Sequence, residues 1–218
     1  MKTDNSILNL NSMIDFTLLD ARANFSDLEK LCDIAYKNEY YSVCVNPANV
    51  SFVSGYIDSS LNGNLKVVSV VGFPLGASLI ETKIFEAKQA ILDGADEIDF
   101  VINIGMVKSG DYEYVKNEIT KIRKATRKHI LKVIIETCYL TENEIIKLCG
   151  ICAKAKVDFV KTSTGFGVGG ASENVVSLMQ NALKGKCQIK AAGGIRTREQ
   201  AIRLCELGAS RIGTSHIL

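Results

Sequence analysis

Eight short apolar runs recur along the chain with helix-like segments between them, and this alternation leaves few folds open. The runs cover residues 13–17, 42–45, 66–71, 97–102, 131–136, 158–162, 188–192 and 211–213. Each is apolar almost throughout, which suits a parallel strand whose two faces are both covered. Strands alternating with helices form a parallel sheet with crossover connections. Eight of them predict an α/β fold of one kind, a closed (β/α)8 barrel, and 218 residues suit a single such domain over 1–218.

The segments between the runs carry helix signals. Ser26-Asp27-Leu28-Glu29, Thr141-Glu142-Asn143-Glu144 and Thr197-Arg198-Glu199-Gln200 fit the capping box, in which a hydroxyl and a carboxylate or amide satisfy free N–H groups reciprocally. Leu28, Leu31, Cys32 and Ala35 fall on one helical face, as do Ile145, Leu148, Cys149 and Cys152. Asp93-Gly94-Ala95-Asp96 and Leu207-Gly208-Ala209-Ser210 read as helix exits, because glycine readily takes the left-handed conformation there.

Composition excludes several classes. An apolar fraction of 47% with only two prolines, Pro47 and Pro74, rules out disordered and collagen-like chains. A net charge of +2 gives no reason to expect nucleic acid as a partner, and the basic stretch 116–129 reads as a solvated helix face. Residues 1–13 contain no continuous apolar core of a signal peptide, and no stretch approaches the ~18 apolar residues of a membrane span. The seven cysteines are odd in number and scattered, as expected of reduced core residues in a cytoplasmic protein. Cys149 and Cys152 match C-x-x-C, but they share a helix face with Ile145 and Leu148. With His129 and His216 as the only two histidines, no metal ligand set is expected.

Charged residues inside apolar strands carry the chemistry. Lys161 ends the run 158–162 and Lys190 lies near the end of 188–192, each just before a glycine-rich loop. A buried ammonium is costly, and burial favours the neutral amine that attacks a carbonyl to form a Schiff base. Two neighbouring ammonium groups repel, which lowers one pKa further. Asp15, Asp99 and Lys132 are likewise charged within apolar runs. Asp15 and Lys132 either touch substrate or support the lysines, since a buried charge needs a partner in both cases. Glycine turns follow at Gly165-Phe166-Gly167, Gly169-Gly170, Gly193-Gly194 and Gly213-Thr214-Ser215. Barrels commonly hold phosphate in the loops after strands seven and eight, so a phosphorylated carbonyl substrate is expected.

At these residues the chain resembles the 2-deoxy-D-ribose-5-phosphate aldolases, a class I aldolase family, over nearly its whole length. Asp15-Phe16-Thr17-Leu18-Leu19 is similar to the family's D-H-T-L-L, and Val43-Cys44-Val45-Asn46-Pro47 matches V-C-V-N-P. Val71 to Gly76, Glu97 to Asn103, Lys132 to Thr137, Lys161 to Gly170 and Lys190 to Thr197 follow in family order. The resemblance implies cleavage of a phosphosugar, 2-deoxyribose 5-phosphate, to glyceraldehyde 3-phosphate and acetaldehyde, with no cofactor or metal. It implies Lys161 as the Schiff-base lysine, Lys190 as the lysine that tunes it and Asp99 as the acid/base acting with a water. Asp15, Lys132 and Thr17 take supporting places, and Cys44, Thr164, Gly165, Gly193, Gly194 and Ser215 contact substrate or its phosphate.

Three departures accompany the resemblance. Phe16 stands where histidine is usual, His216 where serine is common, and the chain stops at Leu218, where family members run on through a final helix. A short or missing last helix is expected to leave the outer face of the last strand uncovered, and with it to favour self-association as a dimer or tetramer, or a longer natural chain. A weakly active or non-catalytic phosphate-binding barrel is the competing reading. The pair Lys161 and Lys190 argues against it, since phosphate capture alone needs no lysine inside a strand.

Overall fold

A computed structural model describes residues 9–61 and 64–218 of the chain. Eight strands, β1 (Ile14–Leu18), β2 (Ser42–Val45), β3 (Lys66–Val71), β4 (Glu97–Val101), β5 (Ile130–Ile134), β6 (Phe159–Lys161), β7 (Gln188–Ala192) and β8 (Arg211–Thr214), pair in parallel in chain order. The β1–β8 pairing, with Asp15 opposite Gly213, closes the barrel. Three strands have the bounds expected from the sequence, and the other five differ by one or two residues at one or both ends. Glu136, expected in the fifth strand, lies beyond it in a left-handed conformation with φ 51°.

The helices are α1 (Phe25–Lys37), α2 (Val50–Tyr56), α3 (Ile80–Leu92), α4 (Ile104–Lys108), α5 (Tyr112–Ala125), α6 (Glu142–Ala155), α7 (Glu173–Leu183) and α8 (Arg198–Glu206). Thr141 with Glu144 and Thr197 with Gln200 form the expected capping boxes. The box of α1 lies elsewhere: Asn24 is the cap and Asp27 its reciprocal acceptor, with Ser26 already inside the first turn. Asn caps as well as Ser, and Phe25, brought into the helix by this earlier start, stacks on Phe52 at 4.3 Å. Gly94 and Gly208 leave their helices with positive φ, as expected.

Strand residues alternate between two environments. Ile98, Phe100, Val133, Val160, Ile189 and Ile212 are fully buried against helix faces that include Leu28, Leu31, Leu148 and Cys152. Each such side chain contributes about 1.5–3 kcal/mol by leaving water. Phe16 belongs to this outer layer, packed on Tyr40 at 5.5 Å, so it points away from the barrel interior. The seven cysteines are free, with Cys149 and Cys152 buried on α6. Among the described residues no helix is long and apolar enough to cross a membrane. The expectation about residues 1–13 lies largely outside the described residues.

Among the described residues no helix follows β8, yet the expected uncovered face is absent. Ile212 is 0% exposed within the common core. Leu218 packs on that core, its N–H donating to the Tyr40 hydroxyl at 3.1 Å. The four residues after the last strand, Ser215 to Leu218, therefore help to cover the face that was expected to be bare.

Candidate active site

Side chains alternate across a strand, so Glu97 and Asp99 enter the barrel interior together from β4, as do Lys190 and Ala192 from β7. Among the described residues the interior network holds three carboxylates, Asp15, Glu97 and Asp99, and four cationic side chains, Lys132, Lys161, Lys190 and Arg211, all buried. Asp99 lies at the centre. Its Oδ1 meets Lys132 Nζ at 2.7 Å, and its Oδ2 meets both Lys161 Nζ and Lys190 Nζ at 2.8 Å. Lys190 also pairs with Asp15 at 2.5 Å, and Lys132 with Glu97 at 2.5 Å. Arg211 closes the network on Asp15 at 2.8 Å and Glu97 at 3.2 Å, under the Tyr41 ring 3.6 Å away. Ser42 donates to Asp15 at 2.6 Å, and Tyr41 to Glu97 at 2.9 Å.

Four cationic groups facing three carboxylates leave one proton in excess, and a buried network is cheapest when its charges balance. The geometry selects which lysine gives that proton up. Burial pulls the Lys161 pKa below its ordinary value; its single carboxylate partner, Asp99, does not compensate, and the Lys190 ammonium pushes the same way as burial. Burial acts on Lys190 too, but Asp15 and Asp99 outweigh it and hold that pKa above normal. Lys132 is raised for the same reason, chiefly by Asp99 and Asp15 against burial. Burial alone would raise the Asp99 pKa, yet Lys132, Lys161 and Lys190 together hold it well below the usual carboxylate range.

A cleft of about 710 Å³ opens above this network at the carboxyl ends of β1, β6, β7 and β8. Thr17, Lys161, Thr164, Gly165, Gly193, Gly194 and Ser215 line it. Asp99, Lys190, Asp15 and Lys132 lie beneath it in the network, and Cys44 sits in a small apolar part of the interior with Leu19, Val68 and Val70. Burial holds the Cys44 thiol above its ordinary pKa. The two glycine loops are pressed together: a Cβ on Gly170 would fall 2.1 Å from the Gly193 carbonyl oxygen, so only glycine fits there. A smaller concavity of about 320 Å³ between the ends of α3 and α5 reaches no strand-end residue.

Sequence reasoning missed Glu97, Arg211, Ser42 and Tyr41 in the network and Arg196 at the cleft wall, where His216, noted as a departure from the family, also lies. Counting back by two from Asp99 and Gly213 would have found Glu97 and Arg211, which sit at strand starts where a charge looks ordinary.

A parallel barrel with a cleft at the carboxyl ends of its strands and a buried lysine at the floor of that cleft has the architecture of a barrel enzyme. The profile of the DeoC/LacD family aldolases matches residues 9–215, and the chain belongs to that family. A deoxyribose-phosphate aldolase of Thermococcus kodakarensis is 53% identical over 204 residues, covering 93% of this chain and 91% of the relative. The solved structure of QR15, an aldolase, superposes with a TM-score of 0.91 at 40% identity, covering 96% of this chain and 92% of the other. A deoxyribose phosphate aldolase from Aeropyrum pernix, described as a unique tetramer, gives a TM-score of 0.87 at 32% identity, covering 94% and 86%.

Proposed function

We propose that this chain is a Schiff-base aldolase that reversibly cleaves 2-deoxy-D-ribose 5-phosphate to D-glyceraldehyde 3-phosphate and acetaldehyde. The observation that carries the reading is that Lys161 alone among the network lysines both lines the cleft and has a lowered pKa.

The neutral amine of Lys161 adds to the C1 aldehyde, and the carbinolamine takes up a proton and loses water to give a protonated imine. A base takes the proton of the C3 hydroxyl, the C2–C3 bond breaks, and its electron pair flows into the imine as an enamine. C3 leaves as the aldehyde of glyceraldehyde 3-phosphate. Protonation of the enamine at C2 and hydrolysis then release acetaldehyde and free Lys161. Asp99 stays ionised beside Lys161 and acts as acid/base through a water. Lys190 stays protonated and keeps Lys161 poised. Asp15, Lys132 and Thr17 hold this arrangement, with Cys44 beside it. Gly165, Gly193, Gly194 and Ser215 offer backbone and hydroxyl donors to the phosphate, near the Arg196 guanidinium in the same wall.

The reading takes 1–218 as one domain and places it in the cytoplasm, in keeping with seven free cysteines. Self-association accords with the tetramer described for the Aeropyrum pernix relative. The test is acetaldehyde release from 2-deoxyribose 5-phosphate. Lys161→Arg is expected to abolish it, because a guanidinium stays protonated and cannot attack a carbonyl. Retained turnover would assign the nucleophile elsewhere.

A further inference from the structure

Glu136, just past β5, is a buried carboxylate that the reaction above leaves without a role. It is 2% exposed, and its backbone is left-handed. Among the described residues, the other non-glycine residues with positive φ, Glu39, Lys156 and Lys184, follow helices, where a left-handed residue is an ordinary exit. Glu136 instead precedes the 3-10 turn Thr137–Tyr139. A non-glycine residue stays in that conformation only when its surroundings hold it there.

Here the surroundings are the loop after β6. Both Glu136 oxygens accept from the Thr164 N–H at 3.3 Å. Its Oε2 also accepts a short hydrogen bond from the Thr164 hydroxyl, and Oε1 one from the Cys138 thiol at 3.7 Å. A Cβ on Gly167 would fall 2.8 Å from Cys138 Sγ and 3.2 Å from Glu136 Cδ, so glycine lets the loop wrap this carboxylate. On its other side the loop is held by the Ala171 N–H, which donates to the Ala192 and Gly193 carbonyls at 3.1 and 3.0 Å.

Where the protons go decides what Thr164 offers the cleft that it lines. A hydroxyl has one proton and two lone pairs. The Thr164 proton is given to Glu136, and one lone pair takes the Phe166 N–H at 3.0 Å. What remains is a single lone pair. That oxygen can accept from a sugar hydroxyl and has nothing to donate to a phosphate.

We propose that Glu136 is a positioning residue that presents Thr164 as a hydrogen-bond acceptor for a hydroxyl of the sugar rather than as a donor to its phosphate. The inference rests on the Schiff-base reading and reassigns Thr164, which the family resemblance groups with the substrate and phosphate contacts.

The test compares Glu136→Gln and Thr164→Val on 2-deoxyribose and on 2-deoxyribose 5-phosphate, with borohydride trapping of acetaldehyde on the same samples. Loss of one well-placed hydrogen bond is expected to raise KM about tenfold, by the same factor for both sugars. Trapping at Lys161 stays at the wild-type rate, since acetaldehyde carries no hydroxyl, and Thr164→Ser restores KM. A KM increase confined to the phosphorylated sugar overturns the proposal, as does an unchanged KM in either variant or a loss of trapping that parallels the rise in KM. If Glu136→Gln fails to fold by circular dichroism, Thr164→Val against Thr164→Ser makes the same comparison. Wild-type enzyme that is not trapped at Lys161 strikes the Schiff-base reading instead.

Discussion

Two buried lysines, Lys161 inside the barrel and Lys83 outside it, have pKa values pulled down by burial, but Lys161 lines the cleft and Lys83 does not. Lys83, on α3, donates to the carbonyls of Gly76 at 2.6 Å and Val101 at 2.8 Å and to Glu118 at 2.6 Å, so its three protons are all taken. The second oxygen of Glu118 accepts the Asn103 N–H at 2.9 Å, which completes a closed one-to-one pair with no opening to solvent. Lys161 has one partner, Asp99, belongs to a network with an excess cation, and forms the floor of a cleft. A lowered pKa is therefore shared by a lysine closed off in an ion pair and by the one proposed to react. What separates them is charge imbalance, a free valence for hydrogen bonding, and access.

The sharpest way to break this contrast is at Asp99. Asp99→Asn is expected to lower carbon–carbon cleavage by about 10²–10⁴-fold, the range for losing a positioned acid/base, while imine formation persists because Lys161 is even less firmly held as an ammonium. Single-turnover cleavage and borohydride trapping, measured side by side, separate the two steps; equal loss of both would make Asp99 purely structural.

Lys190→Leu tests the electrostatic half of the argument. With the ammonium gone, Asp99 holds the Lys161 proton more firmly and the Lys161 pKa rises. Imine formation needs the neutral amine, so the acid limb of the trapping rate moves to higher pH. An acid limb that stays where it is in the wild type would show that Lys190 acts by another route.

Much of this arrangement was legible in the sequence, for a physical reason. Strands covered on both faces must be apolar, so Asp15, Asp99, Lys132, Lys161 and Lys190 stood out against their runs. Glu97 and Arg211 escaped because they start their strands, where a charge looks like a solvated boundary. The Lys83–Glu118 pair joins side chains 35 residues apart on two ordinary amphipathic helices, and only the folded chain brings them together. Glu136 was read as strand because Leu131 to Glu136 continues apolar to its last residue, while the left-handed turn depends on contacts with the next loop. The last strand's outer face was expected to be bare because nothing in the sequence after Thr214 signals the fold-back onto Tyr40, which only the folded chain shows.

On the structural side, Lys83→Met is expected to cost about 3–5 kcal/mol in urea unfolding, since it strands Glu118 as a buried, unpaired carboxylate. The folded fraction should trap acetaldehyde at the wild-type rate. Adding Glu118→Leu is expected to recover most of that loss, because an apolar pair can replace a buried ion pair at little cost. Trapping that collapses with Lys83→Met while the protein remains folded would tie the outer pair to the chemistry after all.

The most direct test of the central claim is borohydride reduction in the presence of acetaldehyde near pH 7, followed by peptide mass analysis. A single stable adduct on Lys161 is expected, with Lys83, Lys132 and Lys190 unmodified. An adduct on Lys190, or modification spread over the surface lysines, would contradict it.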